Sequence, residues 1–172
     1  MFILMNDLIN KKYKNIELIS TKDFSINQKS FNEFYKDLNI SWMNPRITDF
    51  DYPFKEEFMG KWEIQVLRNS KKMNFEDIVK LCKEDGYQPA NIYHMLNFTN
   101  SIKDLNNYRS FMAPGALCVD DFEYPGCVVL SNEKNNGISL GLGNWRGNKI
   151  GGYDILRVKK YNQGSSQSIK VV

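Results

Sequence analysis

Apolar and polar positions alternate in short runs over the last third of this chain. From Ala116 to Tyr161 the runs Ala-Leu-Cys-Val, Cys-Val-Val-Leu-Ser, Ile-Ser-Leu-Gly-Leu and Tyr-Asp-Ile-Leu-Arg-Val are separated by stretches rich in Gly, Asn, Asp and Pro. Such runs, bounded by turn residues, predict strands over 116–120, 126–132, 137–143 and 153–160. Asn135-Asn136-Gly137 and Tyr124-Pro125-Gly126 supply the backbone angles that tight reversals need. Upstream, apolar Trp62, Ile64 and Val66 alternate with polar residues and predict a strand over 62–68 with one solvated face. On the last strand, Tyr153, Ile155, Arg157, Lys159 and Tyr161 share one face, read as basic and solvated, with Leu156 and Val158 on the core side. The predicted core is Val119, Val128, Leu130, Leu140, Leu142, Leu156 and Val158.

Spacings of three and four mark the helices. Phe2 to Ile19 has weak helical spacing through Leu4, Leu8 and Ile9. Phe31, Phe34, Tyr35 and Leu38 make one apolar stripe, on a helix expected to open at Thr21-Lys22-Asp23 or Ser25 and to end near Asn39. Asn74 is a good N-cap for a helix carrying Phe75, Ile78, Val79, Leu81 and Cys82 to a stop at Gly86. Pro89 is expected to open a second helix, Ala90 to Phe98, with Ile92, Tyr93, Met95 and Leu96 inward. Ser101 to Tyr108 suggests a further helical turn. Between helix and strand, Trp42, Pro45, Phe50, Tyr52, Pro53 and Phe54 crowd a loop that reads as a cover over the core, with a functional lid as the alternative. The pattern therefore predicts an α+β fold: an antiparallel sheet of four or five strands with two or three helices packed on one face. It divides the chain into a single domain over 1–161 and a flexible tail over 162–172. Within the domain, 1–60 is helical and loop-rich and 61–161 is a strand–helix–sheet unit.

Composition narrows the classes. With 172 residues, 42% hydrophobic and 25% charged, the chain suits one globular domain with its own core. The net charge of +3 is not gathered into a basic region, the segments 1–60, 61–112 and 113–172 carrying about −1, +2 and +2. Cys82, Cys118 and Cys127 are too few and too irregularly spaced for a disulfide framework or a zinc site, and read as reduced thiols in a cytoplasmic protein. Met1-Phe2-Ile3-Leu4-Met5 lacks the basic flank and length of a signal peptide, and no run approaches a bilayer span.

The order of parts brings a likeness into view. A strand, the helix Met-Asn-Phe-Glu-Asp-Ile-Val-Lys-Leu-Cys, Gly86, Pro89-Ala90, a short apolar helix through Leu96 and a sheet with the turn Asn144-Trp145-Arg146 follow one another. Over roughly residues 60–160 this resembles a set of short uncharacterised bacterial proteins, often met as isolated reading frames. The resemblance implies the fold and a mobile-element origin, and brings no activity or site residue with it.

Candidate chemistry is sparse. His94 is the only histidine, so a His-rich metal site is excluded, and general acid–base work would need a partner brought by the fold. Asp120-Asp121-Phe122-Glu123 lacks the alternating ligands and glycine of a calcium loop and reads as solvated turn acids. Gly141-Leu142-Gly143 precedes a strand, not the helix that a phosphate-binding loop requires. Trp145 and Arg146, with Tyr153 and Arg157 on the next strand, pair the residue types enriched at binding hot spots. The leading expectation is a small cytoplasmic binding or regulatory protein, non-catalytic, without metal or cofactor, whose partner is another protein. Two alternatives stand beside it. One is an enzyme with a site assembled around His94, Cys118 and Asp120, either Cys82 or Cys118 pairing with His94 as nucleophile and base; the other is a weak nucleic-acid binder using the basic last strand.

Overall fold

Alternation in the strands is matched by burial on both of their faces, and this sets the architecture. The computed structural model describes residues 15–27, 31–49, 51–119, 125–133, 137–144 and 149–161. Its strands are β1 (Ile16–Ile26), β2 (Ile40–Met43), β3 (Gly60–Asn69), β4 (Gln88–Pro89), β5 (Ser110–Val119), β6 (Pro125–Glu133), β7 (Gly137–Asn144) and β8 (Tyr153–Lys160). The helices are α1 (Phe31–Asp37), α2 (Phe75–Cys82) and α3 (Ile92–Asn100). All eight strands join one sheet in the order β1-β3-β8-β5-β6-β7-β2, with β4 also on β8. The sheet is mixed: β5 runs parallel to β8, and β2 parallel to β7. The expected antiparallel sheet of four or five strands is therefore corrected to a larger, mixed and dominant sheet.

The expectation that the helices pack on one face is also overturned. On one side, Ile64, Val66, Leu156, Val158, Phe111 and Val128 meet Met95, Leu96 and Phe98 of α3, with Phe34 of α1 nearby. On the other, Leu67, Met112, Cys127 and Ile155 meet Ile78, Leu81 and Cys82 of α2. Thus the expected wet face of β3 is open only at Lys61 and, in part, Glu63, because α2 covers the stretch that carries Gln65 and Leu67, both fully buried. Of the predicted core, Val128, Leu130, Leu140, Leu156 and Val158 are buried and Leu142 is partly so; the Val119 side chain lies outside what the structure describes.

β1 departs furthest from the sequence pattern. Thr21, Lys22, Asp23 and Ser25, expected to start a helix, lie inside this strand. Its pairing with β3 shifts between Leu18 and Ser20. An extra residue in one strand inverts the face on which later side chains fall. Accordingly Ile16 and Leu18 pack toward α2, whereas Phe24 and Ile26 pack toward α3. The Trp42-to-Phe54 stretch is split in the same way. Trp42 is exposed on edge strand β2, whereas Tyr52 is buried and Phe54 packs edge-on against Tyr93 at 5.0 Å.

β4 marks where the sheet opens. β5 follows β8 only from Ser110 to Met112 and then turns away through Pro114 and Gly115. The Gln88-Pro89-Ala90 segment takes its place, with the Ala90 N–H donating to the Leu156 carbonyl at 3.2 Å and the Gly115 N–H to the Ala90 carbonyl at 2.8 Å. A Cβ on Gly115 would stand 2.7 Å from the Pro89 carbonyl oxygen, so only glycine lets the two backbones approach this closely. Gly115→Ala should therefore lower stability by about 1–3 kcal/mol. Gly141→Ala, whose Cβ would meet nothing nearer than 3.6 Å, should leave the urea midpoint nearly unchanged. Equal midpoints for the two variants would contradict this account of the junction.

Candidate functional site at the opening of the sheet

The inserted segment leads directly into α3. Asn91, at its N-cap, accepts the His94 N–H at 3.0 Å, and the Asn91 N–H donates to His94 Nδ1 at 3.1 Å. This is a capping box with histidine in the place usually held by Glu or Gln. An Nδ1 that accepts leaves the imidazole proton on Nε2. That Nε2–H is buried without a hydrogen-bond partner. Around it stand aromatic rings: Trp62 at 4.3 Å between centroids, with Phe58 at 6.0 Å and Phe24 at 6.3 Å. Burial, helped by the Lys160 charge, holds the His94 pKa down at about 3, so the ring is neutral at physiological pH.

His94 lines a groove of about 690 Å³. Phe58, Tyr87, Pro89 and Val158 supply apolar wall, and Lys55, Lys159 and Lys160 bring positive charge against the single carboxylate of Glu57. The Glu56–Phe58 turn forms a roof held by two bonds from β3 and β8. Trp62 Nε1–H donates to the Phe58 carbonyl at 2.8 Å, and Lys160 Nζ donates to the Glu57 carbonyl at 2.7 Å while lying 5.2 Å from the Trp62 ring centre. Lys159 Nζ reaches the Asp85 carbonyl at 3.4 Å. A smaller hollow of about 300 Å³ adjoins across Phe58, Asn91 and Gly115.

The residues singled out from sequence are placed differently. Trp145, Arg146 and Asp120 lie outside the described residues, as does the Cys118 side chain. Tyr153 is half-buried and packs toward the α2 face. Arg157, expected on a solvated basic face, is 1% exposed. Its Nε and Nη2 donate to Gln65 Oε1 at 2.9 and 2.7 Å, and Nη1 donates to the Leu81 carbonyl at 3.1 Å. Its guanidinium lies 4.3 Å from the centre of the Tyr87 ring, whose hydroxyl donates to Glu63. The expected solvated face fails because α2 closes over Ile155 and Arg157, leaving Lys159 and Lys160 at the exposed end of β8, with Tyr161 just beyond it. Desolvation lowers the Arg157 pKa, with Tyr87 opposing it.

Cys82 cannot partner His94. It belongs to the core on the α2 face, its Sγ is 3.9 Å from the Leu156 carbonyl oxygen, and burial raises its pKa to about 12. The register sets Cys127 opposite Leu117, with Cys118 opposite Gly126. Among the described residues no three His, Cys, Asp or Glu side chains are grouped as metal ligands would be, and no helix is long and apolar enough to cross a membrane. The groove itself was missed in sequence, although Asn91 three residues before His94 carries a capping signal. Comparison with protein-family models, curated proteins and solved structures finds no match.

Two outcomes follow from these contacts. His94 has its folded-state pKa below the unfolded value of 6.5, so the unfolded chain binds the proton more readily and stability falls as pH drops from about 6.5 toward 3. Between pH 7.5 and 5.0 that loss should be about 2 kcal/mol. It should be absent in His94→Gln, which keeps the capping geometry without titrating; unchanged pH dependence in that variant would contradict the assignment. Gln65→Leu should cost about 3–5 kcal/mol by leaving the buried Arg157 short of its main acceptor, and adding Arg157→Met should recover most of it in urea unfolding.

Proposed function

We propose that this chain is a non-catalytic binding protein that takes a small ligand into the groove at the start of α3. The observation that carries this is the Nε2–H of His94, a donor with no hydrogen-bond partner beside a groove wide enough for a small molecule. A buried unsatisfied donor typically costs about 1–3 kcal/mol, and facing aromatic rings recovers only part of that. An acceptor on a bound ligand would recover the rest. The surroundings favour binding over catalysis. Nδ1 is committed to the Asn91 N–H and Nε2 already holds the proton, so the ring is a fixed donor and a poor base. Glu57, the carboxylate on the rim, is exposed and 3.9 Å from Lys55 Nζ.

The test uses thermal melting of the intact chain with the small-molecule fraction of an extract from cells that express it. The melting temperature should rise with wild type. It should not rise with Gln88→Trp, because Gln88 is an exposed groove residue whose replacement fills the space without entering the core. An equal rise in both proteins would place the ligand elsewhere. No rise in either would remove the support for a small-molecule ligand.

A further inference from the structure

The groove's charge and its neutral donor together select a chemical class. Lys159 and Lys160 are adjacent at the end of β8, and each is positioned by a main-chain carbonyl, which orients an ammonium group without neutralising it. Among the described residues Lys55 is the groove lysine within ion-pair distance of a carboxylate, at 3.9 Å from Glu57, while Glu63 faces Lys159 across the β3–β8 pair without reaching it. Lys160 Nζ lies 5.2 Å from the centre of the Trp62 ring, and that ring lies 4.3 Å from the His94 ring, so cation and buried N–H border the same part of the groove. An oxyanion placed between them would accept from both, a charge-assisted arrangement roughly twice as strong as a neutral hydrogen bond. Beside that position lie Phe58, Tyr87, Pro89 and Val158, an apolar wall suited to a flat ring. Small aliphatic polyanions would leave this wall without a partner.

We propose that the groove binds small aromatic oxyanions, a carboxylate or phosphate monoester on a planar ring, with the oxyanion shared by Lys160 and the His94 Nε2–H and the ring against Phe58 and Tyr87. This assignment rests on the groove being a binding site. It adds that charge, and not shape alone, chooses the ligand. Lys159 stands behind Lys160 as a second cation at the mouth and sets the salt dependence of binding.

His94 is the sole histidine, so in the untagged chain its imidazole resonances are unambiguous. Labelled protein at neutral pH and low salt is titrated with phenyl phosphate, benzoate and the neutral isostere benzamide. Both anions should move the Nε2–H proton downfield, the signature of a new hydrogen bond, and should bind about tenfold tighter than benzamide. The preference should shrink between about 20 mM and about 300 mM NaCl, and vanish in Lys159→Gln/Lys160→Gln, which keeps side-chain donors while removing both charges. The melting temperature of that variant checks that the roof over the groove is intact. Equal affinity for benzamide and benzoate would overturn charge selection and leave the groove as a binding site. No shift of the His94 resonances by any probe at about 10 mM would overturn the aromatic-oxyanion assignment. The groove reading itself falls only if the extract also fails to raise the melting temperature.

Discussion

β8 pairs with three different strands along its length, and the molecule is organised around that sharing. β3 runs beside it from Asp154 to Lys160 on one side. On the other, β5 occupies Tyr153 to Ile155 and β4 occupies Arg157 and Val158. Neither β5 nor β4 spans the whole strand, so the exchange between them must be filled by a backbone that can satisfy Leu156. Ala90 does this through its N–H, and Gly115 closes the gap behind it. Moving β5 aside leaves space beyond the exchange point, and that space is the groove. Fold and site thus share one cause.

On the α2 face the same strand carries a buried cation. Arg157 replaces water with an amide oxygen from β3, a carbonyl from the last turn of α2 and the face of Tyr87. A helix C-terminus presents unpaired carbonyls and partial negative charge, so a guanidinium there is favourably placed. The carboxylate of Asp85 is exposed and 4.0 Å away, so hydrogen bonds and ring contact offset most of the desolvation. The arrangement fixes where α2 ends and where Tyr87 begins its path to the groove. A residue that reads as surface charge is in fact an internal brace.

Much of the sheet was legible in the sequence, and the reasons for the failures are specific. β3, β6, β7 and β8 announce themselves because alternation and turn residues are local signals, whereas β5 was expected only over its second half and its pairing with β8 lies in the first. Partner choice is not local, so the parallel pairings of β5 with β8 and β2 with β7 left no trace in periodicity. β1 was hidden by the bulge near Ile19, which breaks the alternation halfway, and β4 by its two-residue length and its proline. Face assignment failed at Arg157 because only the position of α2 decides which side of β8 is wet. The site was barely legible: Asn91 and His94 carry a capping signal, but Trp62, Phe58 and Lys160 arrive from other elements. The sequence-based candidates Trp145 and Arg146 gave no help in finding it.

The position of β8 in the sheet also orders events during synthesis. β1 and β3 form one hydrogen-bonded group, β5, β6, β7 and β2 another, and among the described residues β8 is the strand that joins them. β8 leaves the ribosome after both groups. Until it arrives, the facing edges of β3 and β5 are unpaired and the surfaces meant for each other are open to other chains. Closing the sheet therefore waits on a long-range insertion, a slow step because distant segments must meet before any contact rewards them. The groove exists only after β8 has been seated against both groups, so the proposed site appears with the last pairing of the sheet.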